Sequence, residues 1–251
     1  MPCAVTPAIE RFERVDSTMT VARARVSSGL SAPTLFVADE QTGGYGRQGR
    51  AWLSPVGGLW ATLALPMSEQ TLHTTPRGLG LRAGLGALRT IDAALEGASR
   101  PRPRLKWPND VLVSDKKVCG VLCERVHATS GPWLLVGVGI NANLDPIDLR
   151  APLRREPTSL RALLGRDVDL DELARSLASE LLQALDRPLG PAAVATACDR
   201  LWRIEKEITV HDPSSGTRTR ALLRGLSEDG RLVVELGGRR FVMPESVEIV
   251  S

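Results

Sequence analysis

The sequence predicts an α+β fold, a mixed β-sheet flanked by helices followed by a small C-terminal β-barrel, and three observations carry that prediction. Closely spaced runs rich in Val and Leu between residues 104 and 140, separated by Pro, Asn, Asp and Gly, read as strands of one sheet. Two stretches, 76–95 and 170–186, repeat Leu and Ile at helical spacing, each giving a core-facing stripe. After Trp202 the texture changes to short β-branched runs broken by Asp-Pro-Ser-Ser-Gly, Glu-Asp-Gly and Gly-Gly. With 251 residues, 43% hydrophobic and 24% charged, the chain can bury a sizeable core. Those proportions exclude disordered, collagen-like and disulfide-scaffold classes.

Taken in order, Ser17 and Thr18 stand where an N-cap belongs, ahead of Val21, Ala22, Ala24 and Val26 and a stop at Gly29, which predicts a first helix. Leu35 to Ala38 is a short strand. Residues 41–52 carry glycines at 43, 44, 46 and 49, too permissive a backbone for either regular element, and read as a loop. A strand follows at Leu59 to Leu65, and Pro76 opens a helix whose Leu81, Leu85, Leu88, Ile91 and Leu95 face the core. Strands are predicted at Arg104–Trp107, Val111–Val113, Val118–Glu124 and Trp133–Ile140. Leu170, Leu173, Leu177, Leu181 and Leu185 share one helical face, Pro188 ends that helix, and a shorter one runs from Ala192 to Leu201. Runs at 207–211, 219–226, 231–236, 240–243 and 246–250 build the barrel, with the domain boundary near 203: residues 1–202 and 203–251.

Charge and cysteine use restrict the function classes. A net charge of +3 names no partner by itself, and residues 203–251 hold no stripe of aromatic and basic side chains, so no nucleic-acid partner is expected. The four cysteines form no CxxC pair and, with three histidines, no structural zinc spacing; they read as reduced thiols. Glu10, Arg11, Glu13, Arg14 and Asp16 occupy the place of a signal peptide's apolar run, and no segment approaches eighteen apolar residues. No membrane association and a cytoplasmic location are therefore expected.

Three clusters stand out. Gly44-Tyr-Gly-Arg-Gln-Gly49 spells GxGxxG, but no helix begins within it and Pro55 with two glycines follows, so the dinucleotide fingerprint fails. The P-loop pattern fails as well, since Arg50 and Ala51 stand where Lys and Ser or Thr belong. What remains is a glycine loop bearing Arg47 and Arg50, which could wrap an anion or be an ordinary solvated loop. Lys106-Trp-Pro-Asn-Asp110 presents Asn109 and Asp110 at a strand corner, and three of the chain's four lysines (106, 116, 117) lie here in a sequence that otherwise uses arginine. Turn chemistry explains Asn-Asp equally well. Gly137-Val-Gly-Ile-Asn-Ala-Asn143 allows close approach at its glycines and offers paired amides, or is simply a tight strand exit.

In this order the three clusters, with Lys117-x-x-Gly-x-Leu-x-Glu124 after the second, resemble the catalytic domain of biotin protein ligases. The resemblance extends from Asp16-Ser-Thr18 to the terminal barrel, which by the same likeness is SH3-like behind a class II synthetase-like sheet. It departs at Tyr45, where the family commonly has arginine, and at Met19, where asparagine often follows Ser-Thr. The resemblance implies joining of biotin to ATP, with magnesium, as biotinyl-adenylate. The biotinyl group then passes to a lysine of a carboxyl carrier domain of an acyl-CoA or pyruvate carboxylase. By similarity Lys117, Arg47, Lys106 and Asp110 carry the catalysis. Ser17, Thr18, Met19, Gln41, Tyr45, Gly46, Arg47, Lys117 and Gly120 hold biotin; Arg47, Arg50, Trp52, Lys106, Asn109, Asp110, Lys117, Asn141 and Asn143 hold ATP. No residues are assigned to a protein-bound metal. The glycine loop is expected to close over the intermediate, no operator-binding helix-turn-helix is expected, and the protein is expected to be a monomer or homodimer. A lipoate or octanoate ligase or transferase is the nearest alternative, and a non-enzymatic binding module the more distant one.

Overall fold

The computed structural model describes residues 6–68, 78–99, 101–149, 156–186 and 188–250. Within them the first sheet has seven strands: β1 (Ala8–Val15), β2 (Thr34–Gln41), β3 (Leu59–Pro66), β4 (Arg104–Lys106), β5 (Asp110–Val113), β6 (Lys116–Ala128) and β7 (Gly131–Ile140), in the order β1-β2-β3-β7-β6-β5-β4. β1 and β2 are parallel, which requires a crossover, and helix α1 (Thr18–Ser27) supplies it; every other pair in this sheet is antiparallel. The sheet is mixed, as predicted, and helices cover both its faces.

Period-two alternation explains the layering. In β2, Leu35 and Val37 join the large core beneath helices α2 (Leu79–Ala94) and α4 (Leu170–Leu185), while Phe36 between them joins the smaller core beneath α1. With both faces covered, β2, β3 and β7 read as nearly unbroken apolar runs. α2 and α4 approach closely at Gly86, where an added Cβ would lie 3.0 Å from the Glu180 carbonyl oxygen. Arg82 is buried in this contact, and its guanidinium donates to the carbonyls of Ala184 (3.0 Å) and Leu185 (2.7 Å) at the end of α4, where helix carbonyls lack intrahelical partners.

Some elements differ from expectation. β1 and the short helix α3 (Leu160–Leu164), capped by the Ser159 side chain, were not predicted, and β6 extends further at both ends. Pro76 lies outside the described residues; α2 begins at Leu79 behind Gly78 in the left-handed region. Helix α5 (Pro191–Asp199) stops short of Leu201. The C-terminal strands β8 (Glu207–His211), β9 (Arg218–Leu226), β10 (Leu232–Leu236), β11 (Arg239–Val242) and β12 (Glu248–Ile249) form an antiparallel sheet in the order β11-β10-β9-β8-β12, with β11 and β12 at its edges. Its Ile208, Val210, Leu223, Val234 and Ile249 belong to the same apolar cluster as α2 and α4, and the Trp107 indole donates to Gly230 O at 2.9 Å. Among the described residues no helix is long and apolar enough to cross a membrane.

Candidate active site

The site is a cavity of about 500 Å³ on the α1 face of the first sheet. Its floor follows from register. One rung crosses the sheet as Ala38, Trp60, Gly139, Gly120 and Asp110, and the next on the same face as Phe36, Thr62, Gly137 and Leu122. Glycines two apart in β7 thus fall on one face and, with Gly120, leave a trough. Met19 of α1 fills one end, since a Cβ on Gly137 would stand 2.9 Å from its sulfur. The Trp52 indole fills the other, since a Cβ on Gly139 would stand 2.5 Å from its Nε1. Trp52 packs edge-on against Trp60 with centroids 6.5 Å apart, and its indole N–H is buried with no hydrogen-bond partner among the described residues.

Lys117 reaches this face because β6 carries a bulge. Asp110 pairs with Gly120 and Val111 with Cys119, but Leu112 pairs with Lys117, so Val118 is the extra residue. In regular pairing Lys117 would oppose Val113 and point to the other face; the bulge turns it to the side of Asp110. Its Nζ lies 2.7 Å from Asp110 Oδ1 and 4.7 Å from the Trp52 ring centroid. A two-residue turn with positive φ at Ser114 and Asp115 joins β5 to β6 and keeps these residues close. The main chain of Lys117 is bonded on both sides: its N–H donates to Glu156 O (2.9 Å), and its carbonyl accepts from Thr158 N (2.9 Å) and Asn141 Nδ2 (3.3 Å).

At the opposite end, the Ser17 hydroxyl caps α1, accepting from Met19 N at 3.2 Å. Gln41 Oε1 accepts from Thr18 N (2.8 Å) and Thr18 Oγ1 (3.0 Å), while its Nε2 donates to Ser54 Oγ (2.8 Å). A buried Thr18–Thr62 hydroxyl contact at 2.8 Å completes the network. The loop above takes one 3₁₀ turn at Arg47–Gly49, with bridges Gln41–Ser54 and Tyr45–Ala51 closing its base. Tyr45 sits beside Arg23 and Glu124; burial holds its phenol above the ordinary value, partly opposed by Arg23. Burial raises the Cys119 thiol strongly and pushes Cys123 up to about 12, so neither is a nucleophile at neutral pH.

Of the residues predicted from sequence, Ser17, Thr18, Met19, Gln41, Tyr45, Gly46, Arg47, Arg50, Trp52, Lys106, Asn109, Asp110, Lys117, Gly120 and Asn141 all line this cavity. Asn143 does not: its amide donates to Val168 O and accepts from Val168 N, each at 2.9 Å, so both polar ends are engaged away from the cavity. Asn141 is 4% exposed and gives its amide hydrogens to Lys117 O and to Thr158 O (2.9 Å), which makes it a brace for the Lys117 backbone. Asn109 donates to Val121 O, and Arg50 lies 2.5 Å from Glu248. Pro157 and the C-terminal Glu248, Ile249 and Val250 also line the cavity and were not foreseen. Ser159 carried an N-cap signal that could have located the 156–159 strip, whereas nothing local marks Glu248. Four cationic side chains and two carboxylates line the cavity, an excess suited to an anionic ligand.

An arginine-bearing glycine loop over a glycine trough, with a lysine–aspartate pair at one end and a capped helix start at the other, defines a domain of the biotin and lipoate protein ligase type. The model of the biotin/lipoate A/B protein ligase family matches residues 11–141, and the chain belongs to that family. It is 32% identical over 244 residues to the biotin–[acetyl-CoA-carboxylase] ligase of Paracoccus denitrificans, covering 92% of this chain and 95% of that one. It is 34% identical over 157 residues to the bifunctional ligase/repressor BirA of Bacillus subtilis, a match spanning 62% of this chain and 46% of that relative's length. The biotin protein ligase of Aquifex aeolicus in complex with biotin and ATP superposes with a TM-score of 0.79 at 26% identity, over 96% of this chain and 98% of that one.

Proposed function

We propose that this chain is an ATP-dependent ligase that activates biotin as biotinyl-adenylate and transfers the biotinyl group to a lysine of a carboxyl carrier domain. The observation that carries it is Lys117, turned by the bulge onto the glycine trough beside Asp110 and Trp52. Family membership and the cationic excess of the cavity support the same reading.

In the first step a biotin carboxylate oxygen attacks the α-phosphorus, the bond to the β-phosphate oxygen breaks, and pyrophosphate leaves. Two anions must meet, so fixed positive charge is needed where negative charge crowds the phosphorus. Lys117 supplies it at the centre, with Lys106 and Arg47 beside it. In the second step the acceptor ε-amine attacks the carbonyl carbon of the mixed anhydride, the bond to AMP breaks, and the amine loses a proton. The Ser17, Thr18 and Gln41 network offers hydrogen-bonding groups to the ligand head, and the unpartnered Trp52 indole N–H is a donor in reserve.

Magnesium is expected to arrive on the triphosphate and to neutralise phosphate charge. Among the described residues no group of three or more His, Cys, Asp or Glu could cage a metal. The Asp110 carboxylate is the hard oxygen donor magnesium prefers, and one such ligand suffices where phosphates and water complete the shell. The separate pairing of the two sheets supports a domain boundary near residue 203.

The test is pyrophosphate release from Mg-ATP with biotin, lipoate, octanoate or no acid. Release with biotin, followed by label transfer to a carrier-domain lysine, is expected. Release with lipoate or octanoate alone assigns the other branch of the family, and release with none refutes the enzymatic reading.

A further inference from the structure

We propose that Glu248 is a positioning residue that clamps the glycine loop through Arg50, so that the C-terminal sheet sets how long the activated acyl-adenylate is retained; this rests on the function proposed above. Glu248 is 7% exposed, and a carboxylate so buried is tolerated only when it is paired. It lies 2.5 Å from Arg50, 198 residues away in sequence. It also stands on the wall of a cavity whose other charged side chains are Arg47, Arg50, Lys106 and the Asp110–Lys117 pair, where an additional negative charge weakens attraction for a polyanion. Its engagement with Arg50 gives that placement a physical reason.

Arg50 is suited to transmit the grip. Its Nε and backbone N–H both donate to Arg47 O, at 3.1 and 3.3 Å, and its carbonyl accepts from Gly46 N at 2.8 Å, so one residue closes the turn that carries Arg47. The other end of the clamp is anchored, because β12 pairs with β8 and Val250 N donates to Thr209 O at 2.9 Å. With the pair intact the loop is tied to the second sheet. With it broken, four glycines within residues 43–49 leave little to hold the loop over an anhydride that water destroys.

The experiment uses the full chain and four variants: Glu248→Gln, Arg50→Gln, both together, and the exchange Arg50→Glu with Glu248→Arg. Without carrier protein, two quantities are read with biotin and Mg-ATP: acyl-adenylate escaping to solution, and acylation of serum albumin, each per pyrophosphate formed. Each single variant is expected to raise escape about tenfold, the double to do no more than either single, and the exchange to recover retention. Additive single effects, or Glu248→Gln retaining the intermediate like the parent while Arg50→Gln loses it, overturns the clamp. Amide hydrogen exchange of residues 43–51 without substrate gives a second reading: Glu248→Gln should speed it about tenfold. Faster exchange in a chain that forms no pyrophosphate would sink the ligase assignment and leave the clamp standing; unchanged exchange would sink the clamp alone.

Discussion

Replacing Gly139 by alanine tests the trough directly. The new methyl would lie 2.5 Å from Trp52 Nε1, 2.7 Å from Cε2 and 2.9 Å from Cζ2, against ordinary contacts beginning near 3.4 Å, so the indole must move by about 1 Å. It is hemmed in by Trp60 on its edge and by Lys117 Nζ at 4.7 Å from its centroid, so movement breaks both contacts. Overpacking of this kind costs ~1–3 kcal/mol, and a disturbed cation–π contact adds ~0.5–1 kcal/mol. Taking about 2 kcal/mol as the sum, the melting temperature should fall by about 4–8 °C for a chain of this size. Because Lys117 shifts with the ring, biotin-dependent pyrophosphate release should fall about 10- to 100-fold, the scale of a small misplacement at a reacting centre. Gly190→Ala, with no atom within 4 Å of the added Cβ, is the packing control: at the N-cap of α5 it should cost no more than about 1 kcal/mol and leave pyrophosphate release unchanged. Adding Trp52→Phe should recover part of the lost stability, since the smaller ring clears the methyl. A Gly139→Ala protein that melts with the parent and releases pyrophosphate within twofold of it would refute the packing described here.

Lys117→Ala should slow biotin-dependent pyrophosphate release by roughly 100- to 1000-fold, the loss of one transition-state donor, while the fold melts normally; rates within threefold would remove Lys117 from the chemistry. Asn141→Asp should destabilise by about 2–4 kcal/mol, because a buried carboxylate would face the carbonyls of Lys117 and Thr158 in place of an amide donor; thermal melting measures it. Asp169 caps α4 by accepting from Asp171 N (2.8 Å) and Glu172 N (3.0 Å), which hold its carboxyl below the ordinary range. A depressed carboxylate contributes stability above its unfolded value, about pH 4, and loses it as pH falls through the folded value. The melting difference between the parent and Asp169→Ala should therefore be full at pH 7 and shrink below about pH 4; a gap that widens on acidification would contradict the sign.

The fold was legible where periodicity was strong and unopposed. The leucine stripes of α2 and α4 announced both helices, and the turn-punctuated runs after Trp202 announced five strands. β1 was missed because its sequence AIERFERV is charged along an exposed sheet edge, where charge discourages further pairing and hides the apolar alternation. Helix α3 has five residues, too few for a stripe, and only its Ser159 cap was readable. In the site, the glycine loop, the lysine cluster and the Gly-x-Gly exit were each visible as composition, and strand register brings them to one face. The bracing by Asn141 and the withdrawal of Asn143 to Val168 were not visible, because an asparagine's partners depend on which backbone groups the fold leaves unpaired. Glu248 was hidden for the same reason: its contact is with a residue 198 positions away.

The extra residue at Val118 has a consequence for how this segment can vary. Side chains between Asp110 and Gly120 can be exchanged one at a time with graded effect, since each exchange leaves its neighbours where they were. The face of the ammonium is set by the parity of the ladder and not by the number of residues alone. Removing Val118 would leave Lys117 opposite Leu112 in plain alternation, still on the Asp110 side. A hairpin of the present length paired without the bulge would set Lys117 opposite Val113 and turn the ammonium into the apolar packing beneath α2. A gap at Val118 in an alignment or redesign is therefore compatible with the site, whereas a one-residue slip of register at unchanged length abolishes it, whatever the residues on either side.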